Sequence, residues 1–196
     1  MQSSLIWLPI GLIAVVALGA VAVALLVRSW PKRGELSAEE RAEMAATPMP
    51  PLQKRAWWGL LVAVATLATI SIILMNRGAV AYWENDALRL TVTGIFLGGL
   101  FAYVGTLAIP LLKGKPQKLD ERDRIVLSRA GTLQSGLVLI AMAAWLIMLT
   151  ERFREPGAVP VVYLYWIFGS LILVNFIGQS LGILLGYWIG SANGEG

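Results

Sequence analysis

The chain has no cysteine and no histidine, and its few charges avoid every long apolar run. Without cysteine there are no disulfides and no thiolate chemistry. Without histidine there is no imidazole to ligate haem, copper or chlorophyll, and the two absences together exclude zinc fingers and covalent c-type haem attachment. Charged residues make up only 14% of the 196 residues, against about a quarter in a typical soluble domain. No Asp, Glu, Lys or Arg falls within 5–27, 57–75, 90–112, 131–150 or 159–190. Membrane proteins usually handle ions, protons and charged substrates with ionisable groups placed inside the bilayer, so this emptiness argues against ion coupling as well as against buried catalysis.

Apolar residues form 57% of the sequence, and the mean hydropathy is +0.70. Each of the five runs approaches or exceeds the ~20 apolar residues that a helix needs to cross the hydrocarbon core. The expected architecture is therefore all-α, a polytopic membrane domain over 1–196 with five transmembrane helices. A strand reading fails, because a spanning strand alternates polar and apolar residues within a closed barrel and 137–149 does not alternate.

Basic residues are unevenly shared between the two sides. Segment 28–55 holds Arg28, Lys32, Arg33, Arg41, Lys54 and Arg55, and segment 113–129 holds Lys113, Lys115, Lys118, Arg122, Arg124 and Arg129. The intervening segments hold only Arg77, Arg89, Arg152 and Arg154. By the positive-inside rule the loops 28–56 and 113–130 are expected in the cytoplasm, with the amino terminus outside and the carboxyl terminus cytoplasmic. The net charge of +4 thus has a topological explanation, and no nucleic-acid partner is expected. Run 5–27 offers the small residues Ala20, Ala22 and Ala24 but no basic segment before it, so it reads as an uncleaved helix rather than a signal peptide. Trp7, Trp30, Trp57, Trp58 and Trp188 fall near run ends, where an indole keeps its N–H wet and its ring in the acyl region.

In the first basic loop, Ser37-Ala-Glu-Glu40 has the pattern of a capping box that opens a short helix, and Thr47-Pro-Met-Pro-Pro51 ends it. The second carries Asp120-Glu-Arg-Asp-Arg124 directly before the fourth run. Asp120 suits an N-cap, Glu121 and Asp123 complement the helix dipole, and Asp120 is spaced to pair with Arg124. The same five residues, Asp120, Glu121, Arg122, Asp123 and Arg124, are also candidates for docking a partner protein. Cap and docking site both remain open at this level.

The string Asp120-Glu-Arg-Asp-Arg-Ile125, with Arg129-Ala130 before an apolar helix, resembles a group of small bacterial and archaeal multi-pass membrane proteins with a DERD-type cytoplasmic loop, a domain of unknown function. The resemblance covers about 56–190 and implies four core helices around a central cytoplasmic loop. It brings no activity.

Inside the runs, Gly178, Gly182, Gly186 and Gly190 recur at spacing four, and Gly94, Gly98, Ala102 and Thr106 form a second small face. Small faces let helix backbones approach closely in lipid, where packing drives association. They serve either packing within the bundle or contact with another subunit. Asn175 and Gln179 share a helix face, and an amide in hydrocarbon needs partners, for which Thr66, Thr69, Thr132 and Gln134 are candidates. No catalytic group, metal site or cofactor signature is present. A bound lipid, carotenoid or quinone requires no signature side chain. The expectation is a non-catalytic accessory subunit or regulator in the inner membrane of a prokaryote, in contact with lipids and with other subunits or its own copies. The alternative is a transporter or binder of a neutral solute, lipid or apolar cofactor.

Overall fold

A computed structural model describes residues 49–112, 120–154 and 158–192. The expected first span at 5–27 and the helix opened by Ser37 lie outside the described residues. Five helices follow in order: α1 (Pro51–Arg77), α2 (Ala79–Glu84), α3 (Asp86–Leu112), α4 (Glu121–Arg152) and α5 (Val161–Ala192). There is no strand among the described residues. Among the described residues, four segments are long and apolar enough to cross a membrane: Pro51–Arg77, Asp86–Thr106, Glu121–Arg152 and Val161–Ile189.

The helices outrun the apolar stretches, because nothing stops a helix at the edge of hydrocarbon while its backbone still bonds to itself. Pro51 occupies the first turn of α1, where its missing N–H costs nothing. Gly78, at φ 84°, separates α1 from α2, a conformation that L side chains resist. The segment 76–89, between the second and third apolar runs, is thus mostly helical. Asn85 receives the Leu88 amide at 3.0 Å at the start of α3. At α4, Asp120 accepts the Asp123 amide at 2.6 Å, eleven residues before Gly131, or about 16 Å of helix. α5 continues unbroken through all its glycines.

α5 is the hub. It packs most extensively against α4, then α1, and α1 in turn packs on α3. One core cluster joins Leu52 and Ala56 of α1, Val126 and Ala130 of α4 and Leu184 and Tyr187 of α5. A second, at the opposite end, joins Ile70, Tyr82, Val92, Val162 and Leu173 from α1, α2, α3 and α5. The face that α1 buries, Leu52, Ala56, Gly59, Ala63, Thr66 and Ile70, alternates spacings of four and three and is built largely of small residues. That spacing keeps one seam against a partner helix, and the small side chains bring the backbones close.

Candidate functional site

Three features follow from this packing: a seam between α4 and α5, a face of α3 that no described residue covers, and a cavity at the end of the bundle that holds Arg89.

The glycines of α5 meet α4 in antiparallel order. A Cβ added at Gly178 would lie 2.9 Å from Gln134 Cα, one at Gly182 2.5 Å from Ala130 Cα, and one at Gly186 2.9 Å from Val126 Cγ1. The seam is therefore backbone-close, and no side chain larger than hydrogen fits at its centre without moving the helices apart. Gly190 lies on the same helix, one turn beyond Gly186.

Polar groups are interleaved with these contacts. Gln134 Nε2 donates to Asn175 Oδ1 at 2.6 Å. Gln179 is engaged from α3: the Tyr103 hydroxyl lies 3.2 Å from Gln179 Oε1, 3.3 Å from the Phe176 carbonyl and 3.4 Å from Ser180 Oγ, while its ring stacks on Phe176 with centroids 3.9 Å apart. Tyr103 reaches this position past Gly59, where a Cβ would lie 2.9 Å from its ring. Trp145 donates to Ser170 Oγ at 2.8 Å. Thr66 and Thr69 return their hydroxyls to Val62 and Ala65 of their own helix, each at 2.8 Å.

At the far end of the seam lies the DERD-type string. Asp120 caps α4 through the Asp123 amide, and its expected ion pair with Arg124 is absent. The ion pair among the described residues is Arg89 with Asp86. Asp123 is buried and accepts a hydrogen bond from the Tyr187 hydroxyl of α5, while the Arg122 guanidinium lies 5.5 Å from the centre of the Tyr187 ring, within cation–π range. Glu121 and Arg124 are exposed. The string is thus divided: Asp120, Arg122 and Asp123 are occupied with the fold, and Glu121 and Arg124 face outward.

On α3 the small face behaves differently. Among the described residues, a Cβ at Gly94 or Gly98 would meet nothing within 4 Å, and both glycines are open beside the exposed Leu97 and Phe101. The neighbouring Gly99 instead abuts the Thr66 side chain of α1. One residue of register separates the packed face of α3 from the open one.

The cavity, about 720 Å³, lies among α1, α2, α3 and α5, with Trp145 of α4 reaching its wall. It runs along Leu67–Met75, Asp86–Phe96 and Tyr165–Leu173. Tyr82 and Trp166 pack edge to face across 4.6 Å in its wall, and Trp83 faces Tyr165 at 6.1 Å near its mouth. Neither Asn175 nor Gln179 lines it.

Comparison with models of protein families, with curated proteins and with solved structures finds no match.

Tyr103, Tyr187, Trp145 and Gly99 did not emerge from the sequence. The available signal was their position: Tyr103 and Trp145 sit in the middle of apolar runs rather than at their ends, so each polar tip needs a protein partner instead of interfacial water.

Proposed function

We propose that this chain is a non-catalytic integral membrane protein that serves as an accessory or assembly subunit, or a regulator, of a larger membrane complex, and that it receives a transmembrane helix of its partner on the Gly94–Gly98 face of α3. The observation that carries this reading is the contrast between two glycine series. Gly178, Gly182 and Gly186 of α5 are filled by α4, whereas Gly94 and Gly98 have no neighbour within 4 Å among the described residues. A lipid-facing helix gains nothing from lacking Cβ atoms, but a helix that admits another backbone does.

The basic segments at 28–55 and 113–129 support an orientation with those loops in the cytoplasm and the carboxyl terminus beside them. Exposed Glu121 and Arg124 then offer the partner a second, cytoplasmic contact. The prokaryotic inner membrane follows from the DERD-type resemblance. Transport of a neutral solute along Asn175 and Gln179 is less well supported, because both amides are engaged between helices and neither reaches the cavity.

Gentle-detergent extraction from native membranes, with companions identified by mass spectrometry, tests the reading. Stable companions are expected, and Gly98→Leu should release them while thermal unfolding stays unchanged. A monodisperse chain without companions would remove the basis for an accessory role. Because the protein has no cysteine, Gly98→Cys gives a clean cross-linking probe. Bridging to a second copy, or to a cysteine placed in 5–27, would replace the foreign partner with the chain itself.

A further inference from the structure

We infer that the cavity at the Arg89 end seats one zwitterionic glycerophospholipid, with an acyl chain between the helices and the head group on the Asp86–Arg89 pair. This inference rests on the four helices crossing a bilayer, and it is independent of the partner proposed for α3.

Depth is the first consideration. The lining extends over ten helical steps of α3, from Asp86 to Phe96, and eight of α5, from Tyr165 to Leu173, which at 1.5 Å per step is about 12–15 Å. That is one leaflet, half of a ~30 Å hydrocarbon core. The volume of about 720 Å³ lies within the range of roughly 300–1,000 Å³ typical of small-molecule sites.

Chemistry along that depth is graded. Below the mouth the walls are mainly apolar and aromatic, with Ile70, Phe96, Trp145, Trp166 and Leu173 beside the hydroxyls of Ser71, Thr93 and Ser170. Ser71 and Ser170 are bonded within the protein, so the walls suit a hydrocarbon chain and nothing charged. The ionised side chains on the lining are Asp86 and Arg89, both at the mouth. Arg89 Nη2 lies 2.5 Å from Asp86 Oδ1, and Arg89 Nη1 lies 3.4 Å from the Trp83 carbonyl. The two side chains remain 44% and 88% exposed for Arg89 and Asp86, so the guanidinium keeps donors free and the carboxylate keeps lone pairs free.

Charge complementarity then selects the head group. A lone arginine would favour any anionic lipid, but an adjacent carboxylate cancels its net charge and adds a site for a cation. A phosphate beside an ammonium, as in phosphatidylethanolamine, matches both members of the pair. Exposed Trp83 and Tyr165 flank the mouth, where amphipathic rings sit at head-group level.

The test uses the full chain exchanged into equal amounts of phosphatidylethanolamine and phosphatidylglycerol, with retained lipid counted by native mass spectrometry. One phosphatidylethanolamine per chain is expected. Asp86→Asn, an exposed change that leaves the cavity walls intact, should shift the retained ratio toward phosphatidylglycerol by roughly fivefold. Gly169→Leu should reduce retention of either lipid, because a Cβ there has only an ordinary 3.6 Å contact with Phe96 and the rest of the side chain takes up cavity space. An unaltered thermal unfolding curve for Gly169→Leu will show that the loss is not unfolding. Absence of retained lipid in the wild type, preference of the wild type for phosphatidylglycerol, displacement of the lipid by an equimolar isoprenoid quinone, or a head-group ratio indifferent to Asp86→Asn would each overturn the assignment.

Discussion

Gly182 of α5 rests on the backbone of Ala130 of α4: a Cβ at 182 would stand 2.5 Å from Ala130 Cα and 2.8 Å from its Cβ. Ala130 is 1% exposed and has no flexible end to withdraw. Gly182→Ala must therefore push the helices apart, and its overpacking should destabilise the protein by about 1–3 kcal/mol. Thermal unfolding in detergent measures this, and an unchanged midpoint would contradict the close approach. Gly182→Leu should do more, possessing three further carbons with nowhere to go.

The neighbouring glycines of α3 give the converse experiment. Gly99→Leu collides with Thr66 of α1 and should destabilise the isolated chain by about 1–3 kcal/mol. Gly98→Leu points into open space and should leave the unfolding midpoint where it is. Equal effects from the two substitutions would show that α3 packs on α1 in a different register.

Asp123 and Tyr187 bind the start of α4 to the end of α5. Tyr187→Phe removes the donor and leaves a buried carboxylate short of a partner, a loss of about 1–3 kcal/mol. If the hydrogen bond is the cause, Asp123→Leu in the Tyr187→Phe background should lose little more, and a double-mutant cycle in detergent will show coupling. Additive losses would mean that the two side chains act separately.

The amide pair Gln134–Asn175 should be coupled more modestly. Interhelical hydrogen bonds in lipid average about 0.6 kcal/mol and reach about 1.7. Gln134→Leu should destabilise the protein within that range, and adding Asn175→Leu should recover part of the loss, because no polar group is then left unpaired. Urea or SDS titration of the four variants measures it. A double variant weaker than either single one would mean that the amides also serve something else.

How much of this could be read beforehand differs from element to element. Helix existence was legible, since long uncharged runs have one stable form in lipid. The Asp120 cap was legible too, because capping depends on a few neighbouring residues. Gly94 and Gly178 look alike in sequence, yet one faces open space and the other meets Gln134. In water, a helix shows its buried side by being apolar there. In lipid both sides are apolar, so hydropathy cannot say which face packs.

The sequence alone thus determined the apolar character, the helical state, the approximate bounds of four of the five expected spans and the likeness of the small-residue faces, all of which follow from composition and local spacing. Only the tertiary structure decided that α5 is the hub, that Gly182 meets Ala130 while Gly98 meets no described residue, that Asp123 turns inward to Tyr187, and that a cavity opens beside Arg89. Those facts depend on which helix lies next to which and at what rotation, and contacts between residues such as 123 and 187 leave no trace in the local pattern of either.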